Sequence, residues 1–116
     1  MQVIDWLLQE DQPSVRYYTL VDLLDRKEND QDVREALSQI PKKGWASKIF
    51  ALQKAKGYWE KESNLYQPKY TATNWRAIVL SDLGLTSKDK RIEKTANLFF
   101  KYWLAPPPEE NVFKDE

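Results

Sequence analysis

A chain of 116 residues, 41% hydrophobic and 13% aromatic, carries enough apolar material for one packed domain and is too short for two. Eighteen basic and 18 acidic side chains balance to a net charge of zero, which weighs against a dedicated nucleic-acid binder. With neither cysteine nor histidine, the sequence excludes disulfides, thiolate chemistry, Ser-His triads and most transition-metal sites. Its three glycines form no phosphate-cradling loop. No apolar run approaches the roughly 20 residues that span a bilayer, and Met1-Gln-Val-Ile-Asp5-Trp6 lacks the pattern of a signal peptide. The expectation is a cytoplasmic protein without cofactor or metal.

In chain order, Ile4, Leu7 and Leu8 share one face of a short first helix over residues 3–10. Asp11-Gln12-Pro13 interrupts it, and Pro13 suits the first turn of a second helix running to about Asp25. Val15, Tyr18, Leu20, Val21, Leu23 and Leu24 cover more than half its circumference, so contact on two sides is expected. Asn29 is the expected cap of a third helix, over residues 30–40, with Val33, Ala36, Leu37 and Ile40 on one face. A fourth, over residues 45–54, shows a Trp45, Ile49 and Leu52 stripe widened by Ala46 and Phe50. Gly57 supplies the left-handed residue that follows a helix. Residues 57–70 form a long loop without period, and loops of that kind are often functional or tightly packed.

Thr71 or Thr73 caps a fifth helix reaching Leu83, with Trp75, Ile78, Val79 and Leu83 on one side and Gly84 ending it. Ser87 caps a sixth over residues 88–104, where Ile92, Ala96, Phe99, Phe100 and Trp103 recur at helical spacing. Pro106-Pro107-Pro108 stops it, and residues 109–116 form a polar tail. The fold expected is all-α: about six helices in three antiparallel helical hairpins over residues 1–108. An acidic first turn followed by a branched apolar residue recurs at Asp11/Val15, Asp30/Val33 and Asp89/Ile92; repetition and ordinary helix capping explain it equally well.

Two motifs carry a family resemblance. Gln53-x-x-x-Gly57-x-Trp59, preceded by Ala46, Ile49, Phe50 and Leu52, resembles the QW repeat of the terpenoid cyclase and prenyltransferase superfamily of α/α toroids. Pro68-Lys69-Tyr70-Thr71-x-Thr73-x-Trp75, followed by Leu80-Ser-Asp82-Leu83-Gly84, is similar to the segment after that motif in uncharacterised bacterial and archaeal members. The first 40 residues, with Pro13-Ser-Val15-Arg16, resemble a HEAT-type helical pair. The resemblance implies a partial toroid, a half-ring in which Gln53, Gly57 and Trp59 tie one hairpin to the next. It does not carry the activity over. The aspartate-rich motif of the cyclases is missing, and the zinc ligands of the prenyltransferases need Cys and His that this chain lacks. A half-ring also leaves unpaired apolar ends, from which self-association or a longer parent protein is expected.

The remaining chemistry is thin. The carboxylates Asp22 and Asp25, Glu60 and Glu62, and Asp82 read as solvated or capping acids, and no catalytic residue is assigned. Charge is unevenly placed: residues 1–40 hold 4 basic and 9 acidic groups, residues 41–76 hold 8 and 2. That contrast is either complementary packing of solvated faces or a basic face for an anionic partner. Tyr58, Tyr66, Lys69, Tyr70, Asn74, Trp75 and Arg76 form the candidate binding surface, being types enriched in binding hot spots. Against this stands the reading that Trp59 and Trp75 are core and the tyrosines pack the loop onto it. The expected function is a non-catalytic interaction or scaffold module for a protein, a peptide or its own copy, with no small-molecule ligand assigned. The alternatives are the N-terminal part of a cyclase-like enzyme whose acid lies elsewhere, and nucleic-acid binding through residues 41–76.

Overall fold

A computed structural model describes residues 2–104. The expected proline stop at 106–108 and the tail over 109–116 lie outside the described residues. Six α-helices occur among the described residues: α1 Val3–Leu7, α2 Pro13–Tyr18, α3 Gln31–Gln39, α4 Trp45–Ala51, α5 Thr73–Asp82 and α6 Lys90–Leu104. The described residues contain no strand, only an isolated bridge between Lys61 and Asn64, so the chain is all-α. None of these helices is long and apolar enough to cross a membrane.

The contacts separate two compact units. One runs to Leu52 and includes Leu80–Leu85; the other takes Gln53–Val79 and the chain from Thr86 on.

In the first unit α2 packs on α3 around Leu20, Val33 and Ala36, with Leu8, Tyr17 and Val21 against them. The second helix departs from its expected course. α2 ends at Tyr18 and passes into a π-helical turn, Thr19–Leu23, in which the Leu24 N–H donates to the Thr19 carbonyl at 3.0 Å. The Thr19 hydroxyl donates back to the Val15 carbonyl at 2.7 Å, a bond that bends helices. The extra residue in the turn shifts every later side chain on the helix. Thr19 and Leu20 are buried, while Val15, Leu23 and Leu24, expected in a two-sided core, are exposed.

The cap of α3 is Asp30 rather than Asn29: its carboxylate accepts from the N–H groups of Asp32 and Val33. Arg26 donates to the same carboxylate at 2.8 Å and holds its pKa below the usual aspartate range. In α4 the inward face is Ala46, Ile49 and Phe50; Trp45 and Leu52 are exposed, so the expected stripe is rotated by about one residue. The exit of α5 closes as a Schellman turn. Leu85 N–H donates to Leu80 O at 3.0 Å and Gly84 N–H to Ser81 O at 3.0 Å, with Gly84 at φ +105°. Leu80 and Leu85 are both buried, the apolar contact that accompanies this motif. The Ser14 hydroxyl donates to the Leu83 carbonyl at 2.6 Å and fixes the turn to α2.

The second unit is built on hydroxyls and one indole. Trp59 is 1% exposed. Its N–H donates to the Thr73 hydroxyl at 2.9 Å, and that hydroxyl faces the Trp59 carbonyl at 3.3 Å, so loop and helix start are joined at one residue pair. Gln53 Nε2 donates to the Arg91 carbonyl at 3.0 Å and to the Thr95 hydroxyl at 3.1 Å. The Thr95 hydroxyl in turn donates to the Gly57 carbonyl at 2.6 Å. Gly57 sits at φ +99° against α6, where a Cβ would lie 2.8 Å from Lys94 Cβ.

The inward face of α6 is Thr95 and Leu98; Phe100 and Trp103, placed on the apolar stripe by periodicity, are exposed. At its start Asp89, not Ser87, accepts from a helix N–H, that of Arg91 at 2.9 Å. The Arg91 guanidinium donates to both Asp89 oxygens and lowers that carboxyl's pKa. α5 also turns a different face inward. Thr73 and Leu80 are buried, as is Ala72 just before the helix, whereas Ile78 and Val79, expected in the core, are exposed.

Candidate functional site

Residues 60–72 of the second unit make a loop of non-repeating structure that runs into α5 and whose backbone is held at many points. The Asn64 side chain accepts from the N–H groups of Tyr66 and Gln67, at 3.0 and 2.8 Å, and sets the first turn. Leu65 O accepts from Asn74 N–H at 2.7 Å, and Tyr66 O accepts from the Trp75 indole N–H at 2.9 Å. Pro68, after a cis peptide bond, accepts through its carbonyl from Ala72 N–H at 3.0 Å. The Arg76 Nε donates to Thr71 O at 3.4 Å.

This scaffold presents three rings together. Tyr66 and Trp75 have centroids 5.2 Å apart at 56°, and Tyr70 and Trp75 are 5.4 Å apart at 62°. The Lys69 ammonium lies 5.2 Å from the Tyr70 ring and 5.9 Å from that of Trp75, both within cation–π range. Yet Tyr66 and Tyr70 remain 45% and 67% exposed, too open for core packing. Tyr70 adopts φ +73°, a region that costs a bulky residue about 1–3 kcal/mol and that clusters at binding sites. Ring-to-ring contact and the indole hydrogen bond fix the geometry of the three rings.

Of the seven surface residues expected from sequence, the structure gathers Tyr66, Lys69, Tyr70 and Trp75. Asn74 and Arg76 are half-buried and brace the loop instead. Tyr58 is half-buried next to Trp59, its carbonyl accepting from Lys54 N–H. Sequence reasoning missed two neighbours. Ile78 and Val79 follow Trp75 at i+3 and i+4 and are exposed, so they extend the apolar face along α5. Their periodicity marked an apolar face correctly and assigned it to the interior.

The chemistry on offer is recognition. Ring faces, two phenol hydroxyls and an ammonium bind well, and no nucleophile paired with a base lies among them. Among the described residues no cluster of three or more carboxylates is placed to hold a metal ion. In the first unit a cleft of about 190 Å³ is lined by Pro13, Arg16, Glu35, Ala36, Gln39 and Lys43. It is smaller than the roughly 300 Å³ at which small-molecule sites begin.

No protein-family model, curated protein or solved structure matches the chain.

Proposed function

We propose that the chain is a non-catalytic helical module of the cytoplasm that binds a peptide or protein segment through the face formed by Tyr66, Tyr70 and Trp75. One observation carries this reading: two tyrosines stay largely exposed while their rings and backbone are locked around a tryptophan. Rigid aromatic rings lose little side-chain entropy on binding, and rings of this kind dominate binding hot spots. The test is selection from a random peptide display library on the full chain, with the Tyr66→Ala, Tyr70→Ala double variant as counter-target. Enriched peptides should lose at least tenfold in affinity for the variant while its melting curve is unchanged. Peptides that bind both forms equally, or no enrichment, would refute the reading.

Self-association is a second reading, favoured by the far end of α6. Phe100, Trp103 and Leu104 share one face at i, i+3 and i+4, and Trp103 is 82% exposed. Sedimentation of the full chain beside Trp103→Lys tests it: a dimer that the substitution dissolves supports a second copy on this face, and a monomer throughout dismisses it.

A further inference from the structure

We infer that the ligand of the aromatic face is an acidic peptide segment, and that Lys69 is the residue that selects it. The inference rests on the peptide-binding reading above and names the chemical class of the ligand. Three observations support it.

The first is a cation held in place with donors to spare. The Lys69 ammonium lies 5.2 Å from the Tyr70 ring and 5.9 Å from the Trp75 ring. These contacts restrain a side chain that is otherwise among the most mobile, so less freedom is lost when it meets a ligand. The residue is exposed, and it forms no ion pair with a carboxylate among the described residues. An ammonium carries three N–H donors and no acceptor. A ligand carboxylate can accept from it in a charge-assisted hydrogen bond while the rings keep their hold on it.

The second is another cation on the same stretch of loop. Arg76 Nε donates to Thr71 O at 3.4 Å, which ties the guanidinium to the residue after Tyr70. Arg76 also forms no ion pair among the described residues. Its planar fork of donors matches the shape of a carboxylate. Two positive groups thus stand at the Tyr70–Thr71 step.

The third is the charge around them. The described residues of the second unit hold ten basic and four acidic groups. Three of those acids are already matched: Glu62 by Lys56 at 3.6 Å, Asp89 by Arg91 at 2.9 Å and Glu93 by Lys90 at 4.0 Å. The surplus is positive and draws a negative partner. Beyond the cations the face is apolar, since Ile78 and Val79 follow Trp75 at i+3 and i+4 and are exposed. The complementary ligand carries carboxylates close to an apolar side chain. Zero net charge over the whole chain disfavours the other common anion, a single-stranded nucleic acid, which takes a continuous basic groove.

The test starts from the peptides that the display selection enriches on the full chain. Asp and Glu should outnumber Lys and Arg in them by about twofold relative to the unselected library. Each peptide is then synthesised with a fluorescein label, as selected and with every Asp and Glu changed to its amide, and its binding is followed by anisotropy. The amide form should bind about tenfold more weakly, and the selected form should lose about as much on Lys69→Gln. On Lys69→Gln the amide change should cost little more, because the two losses are one interaction. Lys69 is exposed, so the melting curve and the Trp75 indole signal of this variant should match the parent; the amide comparison needs no variant at all. Enriched peptides without an acidic excess, amide forms that bind as well as the originals, or full affinity for Lys69→Gln would each overturn the inference. A fluorescein-labelled oligothymidylate that displaces the peptides and binds more tightly would overturn it too, in favour of nucleic acid. If the acidic preference fails while binding still depends on Tyr66 and Tyr70, the peptide-binding reading stands without it; if that dependence fails, both fall.

Discussion

Replacing Gly57 by alanine should be among the costliest single-methyl additions in this chain. Two effects combine. At φ +99° an alanine occupies backbone space closed to L side chains, at a cost of about 1–2 kcal/mol. The new Cβ would lie 2.8 Å from Lys94 Cβ, 3.0 Å from Lys94 C and 3.1 Å from Thr95 N. Two of these three atoms are backbone of α6, which cannot swing aside. Forcing a methyl into such a site costs about 1–3 kcal/mol more. Moving the loop off α6 instead would stretch the 2.6 Å bond from the Thr95 hydroxyl to Gly57 O, worth about 1 kcal/mol. The expected loss is about 2–5 kcal/mol.

Gly84→Ala is the internal control. Its φ of +105° is nearly the same, so the backbone contribution cancels in the comparison. There the closest atom is Ile40 Cδ1 at 3.1 Å, the tip of a side chain that can turn. Gly57→Ala should therefore exceed Gly84→Ala by about 1–3 kcal/mol. Urea unfolding followed by far-ultraviolet circular dichroism, with the slope fitted for each variant, measures both. Equal losses, or a greater loss at Gly84, would show that contact with α6 does not constrain Gly57.

Three further outcomes are expected. Trp59→Ala should cost about 3–5 kcal/mol in the same unfolding assay, because a 1% exposed indole leaves a cavity that its neighbours fill incompletely. Thr73→Val keeps the shape but leaves the Trp59 N–H without its hydroxyl acceptor; a loss of about 1–3 kcal/mol is expected. The carboxyls of Asp30 and Asp89 both lie below their ordinary value of 3.8, held there first by hydrogen bonds from Arg26 and Arg91 respectively. Because folding lowers these two pKa values, their stabilisation is complete above the ordinary carboxylate range. It is lost as pH falls from that range through the folded values. An Asp30→Asn, Asp89→Asn variant should show a flatter acid limb in Tm against pH, whereas an unchanged limb would remove these two groups as its source.

Local chemistry was legible in the sequence. Proline at the start of α2, glycine after α5 and the absence of alternating strand patterns follow from backbone sterics and hydrogen-bond periodicity. These act over a few residues and need no partner. They suffice for the all-α class and for most helix positions. A long aperiodic segment rich in Tyr and Trp was legible too, but whether its rings pack against the core or face outward was not.

Which face of each helix turns inward was settled by packing. Thr19 opens a π turn that shifts Leu23 and Leu24 out of the core, and no count of apolar spacing registers it. Thr73 and Thr95 are buried at 0% and 3%, because each finds polar partners on the Trp59 loop or at Gly57 and Gln53. A polar side chain belongs inside only once such a partner is in place, and that partner lies 14 to 42 residues away. The same inversion leaves Ile78 and Val79 exposed on α5, one turn beyond the half-buried Trp75. Periodicity can say that an apolar face exists; only the folded chain decides whether that face turns inward or outward.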